Sequence, residues 1–141
     1  MAEERIENHV FRYIEKELYN YPLNRKLIEN WEAERQGIIE ETGGRENIVI
    51  DDKKVSNPTL SKTMRLLALE GKVDRAKWYC KAIEDVLEIL EETDKRLVEL
   101  KYFQGYLTNE GVARELNISV REFYRRRKNI IGKLAVRMGL M

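Results

Sequence analysis

One cysteine, one histidine and two prolines in 141 residues leave little room for several kinds of protein. Cys80 stands alone, so no internal disulfide can form, which agrees with a reducing compartment. Lys77 and Lys81 flank it and would favour a thiolate. Without a histidine partner, though, it reads as a buried, inert thiol. His9 sits on a helical pattern near Arg5 and Arg12, and the chain has no Walker A, HExxH or CxxC pattern. Carboxylates are abundant, but as solvated helix faces. The expectation is therefore a protein that is no enzyme, with no metal and no cofactor. No apolar run approaches the ~20 residues of a membrane span. The opening MAEERIENHVF is acidic, without the apolar core of a signal peptide. A cytoplasmic protein with no membrane partner is expected.

What is present is helix-forming and charged. Charged residues make up 36% and hydrophobic residues 43%, a composition for a folded all-α chain rather than a disordered one. The net charge of +1 conceals an asymmetry. From Lys95 onward eleven Lys/Arg face four Asp/Glu, giving +7, while residues 1–94 hold fifteen against twenty-one, giving −6. A nucleic-acid footprint is thus confined to the C-terminal third. The acidic remainder suits self-association or a protein partner.

Periodicity divides the chain into helices. Ile6, Val10, Tyr13, Ile14 and Leu18 mark a helix over 3–20. Tyr21-Pro22 should break it. A second helix over 23–41 uses Leu27, Ile28, Trp31, Ile38 and Ile39, completing an N-terminal helical hairpin. Phe11, Tyr13, Tyr19, Tyr21 and Trp31 would make a stacking platform for single strands, but in acidic surroundings they read better as core or interface. Residues 42–57, with Gly43-Gly44 and the Asp and Lys pairs, form a linker; Ile48-Val49-Ile50 is a lone β-prone stretch. Pro58 opens a helix capped by Asn57, with Leu60, Met64, Leu67 and Ala68 as its apolar positions and Gly71 permitting a kink or break. From Lys72 to Glu92 a stripe runs through Val73, Ala76, Tyr79, Ala82, Ile83, Val86, Leu87 and Leu90. It serves equally as a dimer seam or as packing within one bundle. Asp94 caps a support helix with Leu97, Val98, Leu100 and Phe103, ended by Gly105. Two regions follow: 1–92 for association, and 93–141 for DNA.

Leu107 to Leu134 reads as a helix-turn-helix. Thr108 is an N-cap, and Val112, Ala113 and Leu116 share one face of a short helix. Ala113 is small where the second helix crosses. Asn117 supplies the left-handed turn residue, Ile118 plugs the corner, and Ser119 caps the second helix. There Phe123, Ile130 and Leu134 point inward, while Arg121, Tyr124, Arg125 and Lys128 form the outer face, as a major-groove helix requires. The competing reading is an ordinary helical hairpin with a solvated basic face. Two residues dissent from the motif: Asn117 stands where glycine is usual, and Arg126 where an apolar residue is usual. Arg126 can snorkel along the domain edge to a phosphate. Arg127 and Lys128, further along the helix, are phosphate candidates, as are Ser119, Lys133 and Thr108.

Leu100-x-Tyr102, Ala113, Leu116, Ile118-Ser119, Phe123 and Lys133-Leu134 make this stretch similar to region 4 of bacterial sigma factors, which recognises the promoter −35 element. That resemblance implies Val120, Arg121, Tyr124 and Arg125 as base-reading positions. Arg121 departs from the acidic residue of sigma factors, implying a different target. The chain also resembles the RinA/ArpU-type late-gene regulators of phages of Gram-positive bacteria. The likeness rests on Glu17 to Pro22 (ELYNYP), Ala82 to Val86 (AIEDV), Phe123 to Ile131 and Leu134 to Leu140. It implies a transcriptional activator of late packaging and structural genes in the host bacterial cytoplasm. The expected partners are double-stranded DNA, a second copy of the chain (a dimer favoured) and host RNA polymerase. A small terminase-like packaging subunit, recognising phage DNA as an oligomer, is the alternative.

Overall fold

The computed structural model describes residues 6–41 and 58–141. The linker 42–57, the Ile48–Ile50 stretch and the Asn57 cap lie outside the described residues. Among the described residues every regular element is helical: α1 (Asn8–Glu41), α2 (Pro58–Ile89), α3 (Glu92–Val98), α4 (Asn109–Glu115) and α5 (Val120–Arg137), with a π-helical segment, Glu99–Gln104, continuing α3. The all-α expectation holds.

Two expected breaks are absent. α1 runs unbroken through Pro22, so helices 3–20 and 23–41 are one helix and not a hairpin. Proline removes one helical hydrogen bond and crowds a carbonyl, but the neighbouring Tyr21 is anchored twice. Its ring stacks on Phe103 at 4.7 Å, and its hydroxyl donates to Glu84 Oε1 at 3.0 Å. Packing holds the turn that propensity would release. Likewise α2 passes through Gly71 without interruption, because a glycine costs a helix only about 1 kcal/mol and buried Leu69 and Val73 straddle it.

The described residues form two compact units. One joins Met1–Pro22, described from Ile6, to Tyr79–Met141; the other is Leu23–Trp78. The border read at 92/93 does not coincide with this division, since the first turns of α1 and the last of α2 belong with the helix-turn-helix. Their Ile14, Leu18, Ala82, Ile83, Val86 and Leu90 share one core with Leu97, Val98, Val112, Phe123, Ile130, Ile131 and Leu134. Most of the 73–90 stripe is therefore buried within this chain, and the seam reading gives way to packing inside one bundle. The aromatics of α1 are spent in the same way. Tyr19 meets Tyr102 edge-on at 4.9 Å, and the Tyr13 and Tyr79 hydroxyls share a hydrogen bond. Cys80 is a buried free thiol.

The Leu23–Trp78 unit buries Ile28, Ile38, Leu69, Val73 and Ala76, and Lys77 Nζ pairs with Glu32 Oε1 at 2.5 Å. Met64, Leu67 and Ala68, apolar positions of the expected helix, are exposed, and Leu69 is buried. The kink or break that Gly71 permits is absent, and the unbroken helix carries buried Leu69, Val73 and Ala76.

Candidate nucleic-acid interface

The motif is built by two caps and one turn. Thr108 Oγ1 accepts from Gly111 N at 3.0 Å and starts α4. A Cβ on Gly111 would come within 3.3 Å of that oxygen, so the glycine keeps the cap close. α4 ends where Leu116 N donates to Val112 O at 2.9 Å. Asn117 follows with φ 59°, the only described non-glycine residue at positive φ, which asparagine tolerates. Ile118 N donates to Ala113 O at 3.0 Å, and Ser119 Oγ accepts from Glu122 N at 3.0 Å to start α5. Phe123, Ile130, Ile131, Leu134 and Ala135 form the buried face of α5. Thr108 and Ser119 thus act first as caps.

The π-helical segment ends at Gly105, φ 73°, whose N–H donates to Leu100 O at 3.3 Å. It places Lys101 at the start of α4, where Nζ donates to Asn109 Oδ1 at 2.6 Å and lies over the rings of Tyr102, Tyr19 and Phe123 at 5.3, 5.9 and 5.9 Å. Asn109 Nδ2 in turn donates to the Tyr124 hydroxyl at 3.5 Å. Sequence reasoning passed over Lys101 and Asn109; neither sits on a periodic stripe.

Arg121, Lys128 and Lys133 are exposed, as are Val120 at 38% and Tyr124 at 43%. Arg125 is exposed but bound: Nε donates to Glu122 Oε2 at 2.9 Å and Nη2 pairs with Oε1. Arg125 holds the Glu122 carboxyl below its ordinary range, with Arg126 adding to the effect. Sequence reading missed Glu122, although its spacing to Arg125 and Arg126 is that of helical ion pairs.

Two of the expected phosphate candidates have partners within the chain. Arg126 turns inward, donating through Nη1 to Asp94 Oδ1 at 2.9 Å and through Nε to Glu122 Oε1 at 3.1 Å, with Glu91 Oε2 at 3.4 Å. Its side chain is 21% exposed. Asp94, expected as an N-cap, is instead a buried partner inside α3; Glu91 holds the cap position, without a side-chain bond. A nearly buried carboxylate needs a paired cation, and Arg126 supplies it. Arg127 is also turned inward. Its guanidinium lies 5.0 Å from the Phe11 ring and 5.0 Å from the Tyr124 ring, with Glu15 Oε2 at 4.0 Å. Arg137 ties the far end of α5 to α2 through Asp85 Oδ2, at 3.2 and 3.0 Å.

The arrangement is a helix with an apolar back and, along its first half, an exposed face of Val120, Arg121, Tyr124 and Lys128. Such a face reaches base edges and phosphates. Among the described residues no cluster of three His, Cys, Asp or Glu side chains has metal-site geometry. No described helix is long and apolar enough to cross a membrane. No curated protein and no solved structure matches the chain. The family model described as ECF sigma factor matches residues 22–138. The sigma likeness read at the helix-turn-helix thus reaches back through α3 and α2 into α1. With that match spanning most of the sequence and the whole motif, the chain belongs to the ECF sigma factor family, with a DNA-binding role in transcription.

Proposed function

We propose that the protein is a sequence-specific double-stranded DNA-binding regulator, not an enzyme, that activates the late packaging and structural genes of a phage in the host bacterial cytoplasm. The observation that carries the DNA reading is the α5 face itself: Val120, Arg121, Tyr124 and Lys128 stay outward while four other groups anchor the helix from behind and at its ends (Ser119, Arg126, Arg137 and the apolar stripe). The phage assignment rests on the likeness of ELYNYP, AIEDV and the Phe123–Ile131 stretch to RinA/ArpU-type regulators. Host RNA polymerase is the expected protein partner, as suits a sigma-related chain.

The same reading includes a dimer. Because the 73–90 stripe is consumed, the association surface falls on the outer side of α2. Met64 and Trp78 lie seven residues either side of Gly71, and both are exposed, as is Leu67. An antiparallel two-fold pairing through Gly71 would set Met64 of one copy against Trp78 of the other, a self-complementary contact. Sedimentation should give a dimer for the wild type and a monomer for Met64→Glu/Leu67→Glu; a monomeric wild type removes the dimer.

Selection of bound duplexes from a random pool tests the DNA reading. Arg121→Ala should weaken the selected site about tenfold or more, a guanidinium–guanine contact being worth about 1–3 kcal/mol, and scrambled DNA much less. Lys128→Ala should weaken both alike and lower the salt slope by roughly one ion. If no sequence is enriched, the reading fails.

A further inference from the structure

Tyr124 is the one aromatic side chain on the open face of α5, and three groups fix its ring. Phe123 meets it edge-on at 5.5 Å and 76°, Asn109 reaches its hydroxyl, and the Arg127 guanidinium lies 5.0 Å from its centroid. The first two belong to the helix-turn-helix. Arg127 is held from elsewhere. Its Nε is buried without a hydrogen-bond partner, and its nearest carboxylate, Glu15 Oε2 at 4.0 Å, already accepts from the Tyr102 hydroxyl at 2.7 Å. What keeps an arginine with so few hydrogen bonds turned inward is the second ring, Phe11 of α1, also 5.0 Å away. One cation between two π faces is attracted to both.

We propose that Phe11 is a positioning residue for DNA reading. It holds Arg127 against Tyr124, so that the tyrosine meets the groove in a single orientation and the arginine stays off the phosphates. The inference rests on the DNA-binding reading above and deepens it. Phe11 and Glu15 precede the residues that the family model matches, 22–138, so the family match does not assign this role. It also gives the acidic N-terminal helix a part in specificity rather than in association alone. A recess of about 380 Å³ lined by Phe11, Tyr124, Arg127 and Lys128 opens beside the stack. It leaves room for the guanidinium to swing out once the Phe11 ring is gone.

The test uses the full chain and the duplex selected for the wild type. Phe11→Leu keeps an apolar side chain but removes the π face. The ratio of selected-site to scrambled-duplex affinity should fall roughly three- to tenfold, the size of one lost cation–π contact. The salt slope on scrambled DNA should steepen by about one ion as Arg127 reaches a phosphate. Phe11→Tyr should restore both. Val10→Ala, which trims another partly buried residue of α1, should leave ratio and slope unchanged whatever it does to melting. Discrimination kept in Phe11→Leu, or lost equally in Val10→Ala, overturns the proposal while the DNA reading stands. A wild type that enriches no sequence overturns both.

Discussion

The two compact units share the same two long helices yet are built to different standards. In the unit carrying the motif, Ile14, Leu18, Leu97, Val98, Val112, Phe123 and Ile131 are essentially sealed. In Leu23–Trp78, α1 and α2 bury one narrow stripe, while Leu23, Met64 and Leu67 stand 57%, 63% and 63% exposed. Two helices shield one face each, whereas several helices crossing at different angles shield residues from all sides. A continuous helix is thus not a uniform one: α1 is core material before Pro22 and half-covered after it.

The strongest way to break that contrast is to cut into each unit. Phe123→Ala should cost about 3–5 kcal/mol, the range for emptying a sealed aromatic site, and abolish DNA binding with the fold. Leu23→Ala, at an exposed position of that unit, should change stability by no more than about 0.5 kcal/mol. Thermal melts of both variants check this; equal losses would mean that the units do not differ in packing.

Ala113 sharpens the comparison inside the motif. It is 1% exposed, and its carbonyl accepts from Ile118 across the turn. Ala113→Leu should cost about 1–3 kcal/mol by overpacking, lowering the melting temperature and DNA affinity together. A variant that melts and binds normally would remove the close crossing of α4 and α5.

Asp94→Ala comes next. It strips a buried carboxylate from Arg126, which keeps Glu122, so the loss should be about 1–3 kcal/mol, the worth of a hydrogen bond to a charged group. The salt slope of DNA binding in Arg126→Met should match that of the wild type. A slope lower by about one ion would return Arg126 to the phosphate contacts.

How much of this was legible depended on whether a residue's role was local. Caps, the left-handed turn and the inward stripe of α5 are set within a few residues, and Thr108, Asn117, Ser119 and Phe123 read correctly from the sequence. The partners that Arg126 and Arg127 have within the chain were not legible, because Asp94 and Phe11 lie far along it and no periodicity links them. Pro22 and Gly71 misled for the same reason. Their local cost is real, but distant packing at Tyr21, Leu69 and Val73 outweighs it. The 73–90 stripe was seen correctly as apolar, yet a stripe does not say whose surface covers it.

The smallest expected effect lies at the start of α5 and is read by pH. Arg125 first, then Arg126, holds the Glu122 carboxyl below its ordinary value of 4.5. A carboxyl whose folded pKa is depressed binds fewer protons in the folded chain than in the unfolded one. Its stabilisation is therefore complete above about pH 4.5 and is lost as pH falls through the lower, folded value. Glu122→Gln removes that charge while keeping the side chain's size. The melting temperature of the wild type should exceed that of Glu122→Gln at pH 6, and the gap should narrow steadily towards pH 3. Because the pair is solvated, the gap should be small and should shrink in high salt. No gap at pH 6 would mean that the Glu122 carboxylate adds nothing to the backbone bond to Ser119, which the glutamine keeps. Arg125 would then be no more tied to its own helix than exposed Arg121 is.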